Sequence, residues 1–187
     1  MTDLALGVRR ATWGVKVLAV VLGAVLVALA AQVSVPLPGT PVPMTLQPMA
    51  VLLVGGLLGA PLGALSMILY LAVGAAGLPV FTPTVPLPGL ARLLGPTGGY
   101  LLAYPVAAWA TGAVMRDGSR VWRVAGGVLA GLVLIHLGGL AQMAIITGNV
   151  SAAARLATWP FLLGDLLKLA ILLPVLTKLT PTIRARL

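Results

Sequence analysis

Six apolar runs, at about 17–34, 47–60, 62–77, 98–115, 124–147 and 160–178, occupy most of this 187-residue chain. A helix needs roughly 20 residues to cross the hydrocarbon core of a bilayer, and backbone in lipid must satisfy its own hydrogen bonds. Only 8% of the residues are charged and 60% are hydrophobic, whereas soluble domains carry roughly a quarter charged residues. A soluble globular domain is therefore excluded. So is a disordered chain, which needs low hydrophobicity and high charge. A transmembrane barrel would alternate apolar and polar residues, and these runs are unbroken. The expectation is an all-α membrane protein, a single integral membrane domain over residues 1–187.

The charges set the direction of the spans. Twelve Lys and Arg against three acids give +9, a balance that in a soluble domain would suggest nucleic acid. Here the basic residues sit between apolar runs, so they read as topology signals and no nucleic acid partner is expected. Six spans with a cytoplasmic N-terminus put Arg9, Arg10, Lys16, Arg116, Arg120, Arg123, Lys178, Arg184 and Arg186 inside and only Arg92 and Arg155 outside. Five spans would leave the Arg116–Arg123 cluster and the basic C-terminus outside. Six transmembrane helices, N-in/C-in, follow. The first, fourth, fifth and sixth runs meet the span length comfortably. The second and third are short and meet at Gly59-Ala60-Pro61-Leu62-Gly63. They are two short helices with a tight turn or one helix kinked at Pro61, and the six-span count selects the former, with bilayer thinning or protein cover. A cleavable signal is the weaker reading of the first run, which is longer than a signal core and is followed by more membrane. Trp13 and Trp122 are expected at the inner interface, Trp159 at the outer, and Trp109 deeper as a packing residue.

Ten of the fifteen prolines fall in two segments, 36–48 and 79–96, both placed outside by this topology. Proline prevents helix, so these are extended or turn-rich. They are almost uncharged, and the expected arrangement is a cover folded over the helix ends rather than a linker. VPLPG occurs at 35–39 and again at 85–89, a repeat that a chain so rich in Pro, Gly, Val and Leu produces by composition.

Ionisable groups inside a span are costly and mark functional positions. Asp165 and Lys168 lie three apart in the sixth run, on one helix face and within pairing distance. They form an internal salt bridge or a ligand site. As a site, a carboxylate beside an ammonium suits a small neutral group presenting both N–H and C=O, such as a urea or amide. Gly164 leaves room for close approach. Gly98, Gly99 and Tyr100, at the end of Gly95-Pro-Thr-Gly-Gly-Tyr, open the fourth run. The glycines either free backbone N–H groups for an acceptor or allow close helix packing. Arg92 either receives a carboxylate or is solvated. Thr45 and Gln47 add neutral hydrogen-bonding groups on the same side. His136, with Gln142, Thr147 and Asn149, lies on the fifth run or its outer end; a lone intramembrane histidine is more often a helix–helix hydrogen-bonding residue, and no ligand role is assigned to it. Ala24 and Ala28, with Ala31 one turn on, allow close approach of a helix of this chain or of a partner subunit.

There is no cysteine, and one histidine with three acids leaves almost no material for a metal centre. No phosphate loop, H-E-x-x-H or G-x-S-x-G motif is present. Enzymatic readings have little to stand on, and no cofactor is expected.

The stretch VPLPGTPVPMTLQPMAVLLVGGLLGAPLGALSMILYLAVGAAGLPVF, followed by LLGPTGGYLLAYP, resembles the BioY family, as does the Gly-Asp-x-x-Lys pattern of the sixth run. BioY proteins are the biotin-specific substrate-binding (S) components of energy-coupling factor (ECF) transporters. The resemblance implies a six-helix S-component fold in the bacterial cytoplasmic membrane, with an outer pocket capped by the loop between spans one and two. It implies that Asp165 and Lys168 contact the ureido ring of biotin, with Asp165 accepting from an N–H. It also implies a transmembrane coupling subunit and two ATPase subunits as partners, docked through small-residue faces such as Ala24/Ala28. Arg92 as the partner of the valerate carboxylate is an addition from its position. Where the family has a Gly-rich, often Asn-containing loop, this chain has Thr82-Pro-Thr-Val-Pro-Leu-Pro-Gly89, so a ligand contact there is either missing or taken over by Thr82 or Thr84. An S component for another vitamin, an intramembrane enzyme and a structural membrane subunit are the alternatives.

Overall fold

A computed structural model describes residues 11–187. Asp3, Arg9 and Arg10, which entered the topology reading, lie outside the described residues. The remainder is predominantly helical. Helix α1 (Trp13–Gln32) leads into a short hairpin, β1 (Ser34–Val35) and β2 (Met44–Thr45), with Ser34 opposite Thr45 and Val35 opposite Met44. Then follow α2 (Gln47–Leu58), α3 (Ala60–Ala75), a five-residue α4 (Leu90–Leu94), α5 (Gly98–Met115), α6 (Val121–Thr147), α7 (Val150–Ala157), a 3-10 turn (Trp159–Phe161) and α8 (Leu162–Arg184).

Among the described residues, three stretches are long and apolar enough to cross a membrane: Trp13–Gln32, Val121–Thr147 and Val150–Arg184. Helices α2 and α3 are apolar but shorter. Helix α5 has 18 residues, but Tyr100, Tyr104, Pro105 and its glycines lower its hydropathy. The outward faces are those of a membrane protein: Val21, Leu22, Val25, Leu26 and Leu29 of α1, and Leu163, Leu166 and Leu167 of α8, are exposed. A surface this apolar belongs in lipid.

The short second and third runs are two helices. Gly59 breaks them at φ +84°, a conformation that suits glycine. Pro61 stands in the first turn of α3, where its missing N–H has no helical partner to lose. The α2 end is closed from far along the chain. Arg184 in the last turn of α8 donates to Gly56 O at 2.9 Å, to Gly55 O at 3.4 Å and to Gly112 O at 3.2 Å. The last carbonyls of a helix lack intrahelical donors and favour a cation, so this topology-signalling arginine also clips three helices together. Asp117, in the α5–α6 turn, accepts from Ser119 N and Oγ at 3.3 and 2.9 Å, which holds its carboxyl below the usual carboxylate range.

Ala24 is buried and Ala28 half-buried, so the small-residue stripe of α1 packs against this chain's own helices. A Cβ on the adjacent Gly23 would lie 2.6 Å from Ser66 Oγ of α3 and 2.9 Å from Val54 of α2. Trp109 is not a packing residue: it is 53% exposed, and Trp13, Trp122 and Trp159 are exposed as well.

The loops gather at two ends. One end holds the hairpin, the segment 76–97 and the α7 region, tied together by Thr40 Oγ1 donating to Leu156 O at 2.6 Å and Gln142 donating to Leu93 O and Gly95 O at 3.0 and 2.7 Å. The other end holds the Gly59 break, the α5–α6 turn and the C-terminal end of α8. The proline-rich segments are thus a roof, but not a purely irregular one: α4 and the hairpin are regular pieces within it, and α7 completes it.

Candidate binding site

Asp165 lies in the first turn of α8, where the helix dipole favours a carboxylate. Lys168 follows one turn later, with Nζ 3.0 Å from Asp165 Oδ1. Each residue is only 7% exposed. Burying such a pair costs at least as much as an apolar substitute would. The second oxygen of Asp165 is also engaged: His136 Nε2 of α6 lies 2.5 Å from Oδ2.

These three side chains line a cavity beneath the roof, partly open to solvent. Its apolar wall comes from Tyr100, Leu101 and Tyr104 of α5, Leu132 and Ile135 of α6, and Phe161. The hairpin side contributes Val42, Pro43, Thr45 and Gln47, and the second loop contributes Phe81, Thr82 and Arg92. A mostly apolar chamber with few convergent polar groups is the usual form of a small-molecule site.

Each expected site residue has a definite place. Thr45 lines the cavity and caps the start of α2, accepting from Gln47 N at 3.2 Å. Gln47 lines it too, and its Nε2 donates to Tyr70 Oη at 2.6 Å, which in turn donates to Val80 O at 3.2 Å. That relay fixes the second loop to α2 and α3. Tyr100 presents its ring to the cavity while its hydroxyl donates to Ala157 O of α7. Gly98 and Gly99 are not among the cavity-lining residues. A Cβ on Gly99 would collide with Gly138 O of α6, and one on Gly98 with Leu93 O. These two glycines take the packing alternative. Gly164 receives the Met44 side chain of the hairpin, with Sδ 3.1 Å from where a Cβ would stand.

Arg92 is buried, not solvated. Its Nε donates to Leu87 O at 2.8 Å, and Nη2 donates to Thr82 O at 2.9 Å and to Val85 O. Its guanidinium carbon lies 5.9 Å from the centroid of the Phe81 ring. Nη1 is buried with no hydrogen-bond partner among the described residues. Arg92 therefore shapes the divergent 82–89 loop and keeps one donor uncommitted. Burial makes the charge harder to hold and lowers its pKa from the usual arginine value. In that loop Thr82 lines the cavity, its hydroxyl 3.2 Å from that of Thr84.

His136, expected as a helix–helix hydrogen-bonding residue without a ligand role, bonds α6 to α8 and also lines the cavity, and Tyr104 and Phe161 line it without any signal in the sequence. A signal for His136 existed. It follows Leu132 by four residues and precedes Gly139 by three, beside the buried stripe of α6. Its partner, 29 residues away on another helix, is not readable from spacing.

A profile of the BioY family matches residues 5–185. The chain is 39% identical to the "Probable biotin transporter BioY" of Pyrococcus horikoshii, over 78% of this chain and 83% of that protein. It is 36% identical to the "Biotin transporter BioY" of Thermotoga maritima, over 78% and 84% respectively. A crystal structure of the S-component for biotin from an ECF-type ABC transporter has the same fold, with a TM-score of 0.80 at 24% identity, covering 90% of this chain and 94% of that one. The chain belongs to the BioY family.

Proposed function

We propose that this chain captures biotin at the cytoplasmic membrane as the substrate-specific subunit of an ECF-type uptake system. The observation that carries the reading is the buried Asp165–Lys168 pair on the wall of an otherwise apolar cavity. A cyclic urea offers an N–H beside a C=O. Asp165 accepts from the first, and Lys168, which spends one of its three protons on Asp165, donates to the second. The apolar wall takes the fused rings and the alkyl chain. Arg92 Nη1 receives the terminal carboxylate after a small turn of the guanidinium. The chain carries no nucleotide-binding motif, so energy comes from partners: a transmembrane coupling subunit and two ATPase subunits. It works as a transport subunit rather than an enzyme, with biotin as its ligand and no cofactor.

The same proposal includes six spans, α1, α2, α3, α5, α6 and α8, in one domain of a bacterial plasma membrane. Helix α2, with 12 residues, reaches only about 18 Å against a core of about 30 Å. Its Val51 and Leu52 are fully buried among other helices, so protein rather than lipid surrounds much of it. The roof end is outside. Lys16, Arg116, Arg120, Arg123, Lys178 and Arg184 belong to the other end, as the positive-inside rule requires.

Calorimetric titration of the purified chain with biotin tests the reading, with riboflavin and thiamine as competitors. Biotin alone should bind; preference for another vitamin would reassign the site. Arg92→Ala frees the loop carbonyls that it holds, so both ligands lose affinity, but biotin should lose about tenfold more than biotin methyl ester, which lacks the carboxylate. Equal losses for acid and ester would remove Arg92 from carboxylate recognition.

A further inference from the structure

We propose that His136 is a positioning residue for ligand recognition: it holds the carboxylate of Asp165 from a second helix and so fixes the directions in which that carboxylate accepts from the ligand. The inference rests on the biotin reading of the cavity and deepens it. The final torsion of an aspartate is broad and two-fold, so an unclamped carboxylate can turn. Lys168 alone, on the same helix, holds only Oδ1, at 3.0 Å. His136 Nε2, from α6, takes Oδ2 at 2.5 Å. Donors from two helices fix the carboxylate plane, and one lone pair on each oxygen stays free for a ligand N–H.

The proton must sit on Nε2 for this bond to form, since an ionised Asp165 has none to give. His136 Nδ1 is buried without a partner. A bare lone pair there is less costly than a buried N–H with no acceptor, which matches the Nε2–H tautomer. The titratable groups facing the ring are Asp165 and Lys168 of α8 and Tyr100 of α5, whose ring centroid is 6.4 Å away. The Tyr100 hydroxyl is committed to Ala157 O. Among the described residues, no second acceptor is bonded to His136 Nε2.

A bond that merely joins α6 to α8 would predict different behaviour, and the test separates the two. The full chain, carrying a tag free of histidine, is reconstituted in nanodiscs and titrated with biotin. His136→Leu should raise Kd at least about tenfold, as loss of a hydrogen bond to a charged group does, while His136→Gln, which can present an N–H near Nε2, should stay within about threefold. In an Asp165→Ala background His136→Leu should add less than about twofold, because the residue acts through the carboxylate. Unchanged affinity in His136→Leu, or its full effect in the Ala background, would overturn the positioning role and leave the biotin reading standing. Failure of the wild type to bind biotin would overturn both. His136 is the sole histidine of the chain, so its ring nitrogens give unambiguous 15N signals even if the leucine variant does not fold. Before ligand is added, Nε2 should be protonated and Nδ1 bare; the opposite tautomer would overturn the proposal.

Discussion

Asp165→Ala is expected to raise the biotin dissociation constant at least about a hundredfold, the largest effect of any single substitution in the cavity. The substitution removes the acceptor for the ligand N–H, and it also destabilises the fold by about 3–5 kcal/mol, because the remaining charge is stranded. Here the stranded group is Lys168, 7% exposed, and His136 loses its hydrogen bond to Asp165 at the same time. Asp165→Asn keeps the size and one acceptor oxygen, and should cost about tenfold or more, as should Lys168→Ala. Such losses also destabilise the fold, so they need a control that does not. The triple variant Asp165→Leu/Lys168→Met/His136→Leu replaces the whole cluster with apolar side chains of similar size and strands no polar group, which buried pairs tolerate well. It should melt no lower than the wild type and bind no biotin. Calorimetry with a parallel thermal melt reads both quantities. Wild-type affinity in Asp165→Asn and Lys168→Ala would remove the pair from the site.

Gly99→Val should leave little folded protein to assay, with or without biotin. The added Cβ would run into Gly138 O of the helix packed against α5, and a backbone carbonyl cannot swing aside as a flexible side chain can. Forcing α5 and α6 apart disturbs the principal helix pair of the bundle and both walls that carry Tyr100, Leu132 and His136. Size-exclusion profiles and melting of the detergent-solubilised variant decide the matter. A well-folded Gly99→Val with the wild-type melting point and weakened biotin binding would mean that the glycine serves the ligand and not the packing.

The bilayer explains why so much of the architecture was readable. It demands long apolar helices, and those leave runs in the sequence that no soluble fold needs. The Gly59 break was readable because Gly59 and Pro61 punctuate it. The roof was harder. Its helices α4 and α7, of five and eight residues, are too short for periodicity to stand out from their flanks. Asp165 and Lys168 announced themselves, since charge in a span is rare and their spacing is local. Arg92 stayed ambiguous because its acceptors, Thr82, Val85 and Leu87, are carbonyls of a loop whose path depends on tertiary contacts. Small residues mislead in a different way. Ala24, Ala28, Gly98 and Gly99 announce close approach but not what approaches, and in each case it is another part of this chain.

The positions of the tryptophans decide which optical measurements will work. All four are exposed and none borders the cavity, whose aromatic groups are Tyr100, Tyr104, Phe81 and Phe161. Indole emission should therefore scarcely change when biotin binds, and a flat signal would say nothing about affinity. The same residues make good depth gauges. Lipids brominated at successive acyl positions should quench Trp109, midway along α5, most strongly from deep bromines. Trp13, Trp122 and Trp159, near helix ends, should respond to shallow ones. Single-tryptophan variants would then measure how this bundle sits in its bilayer.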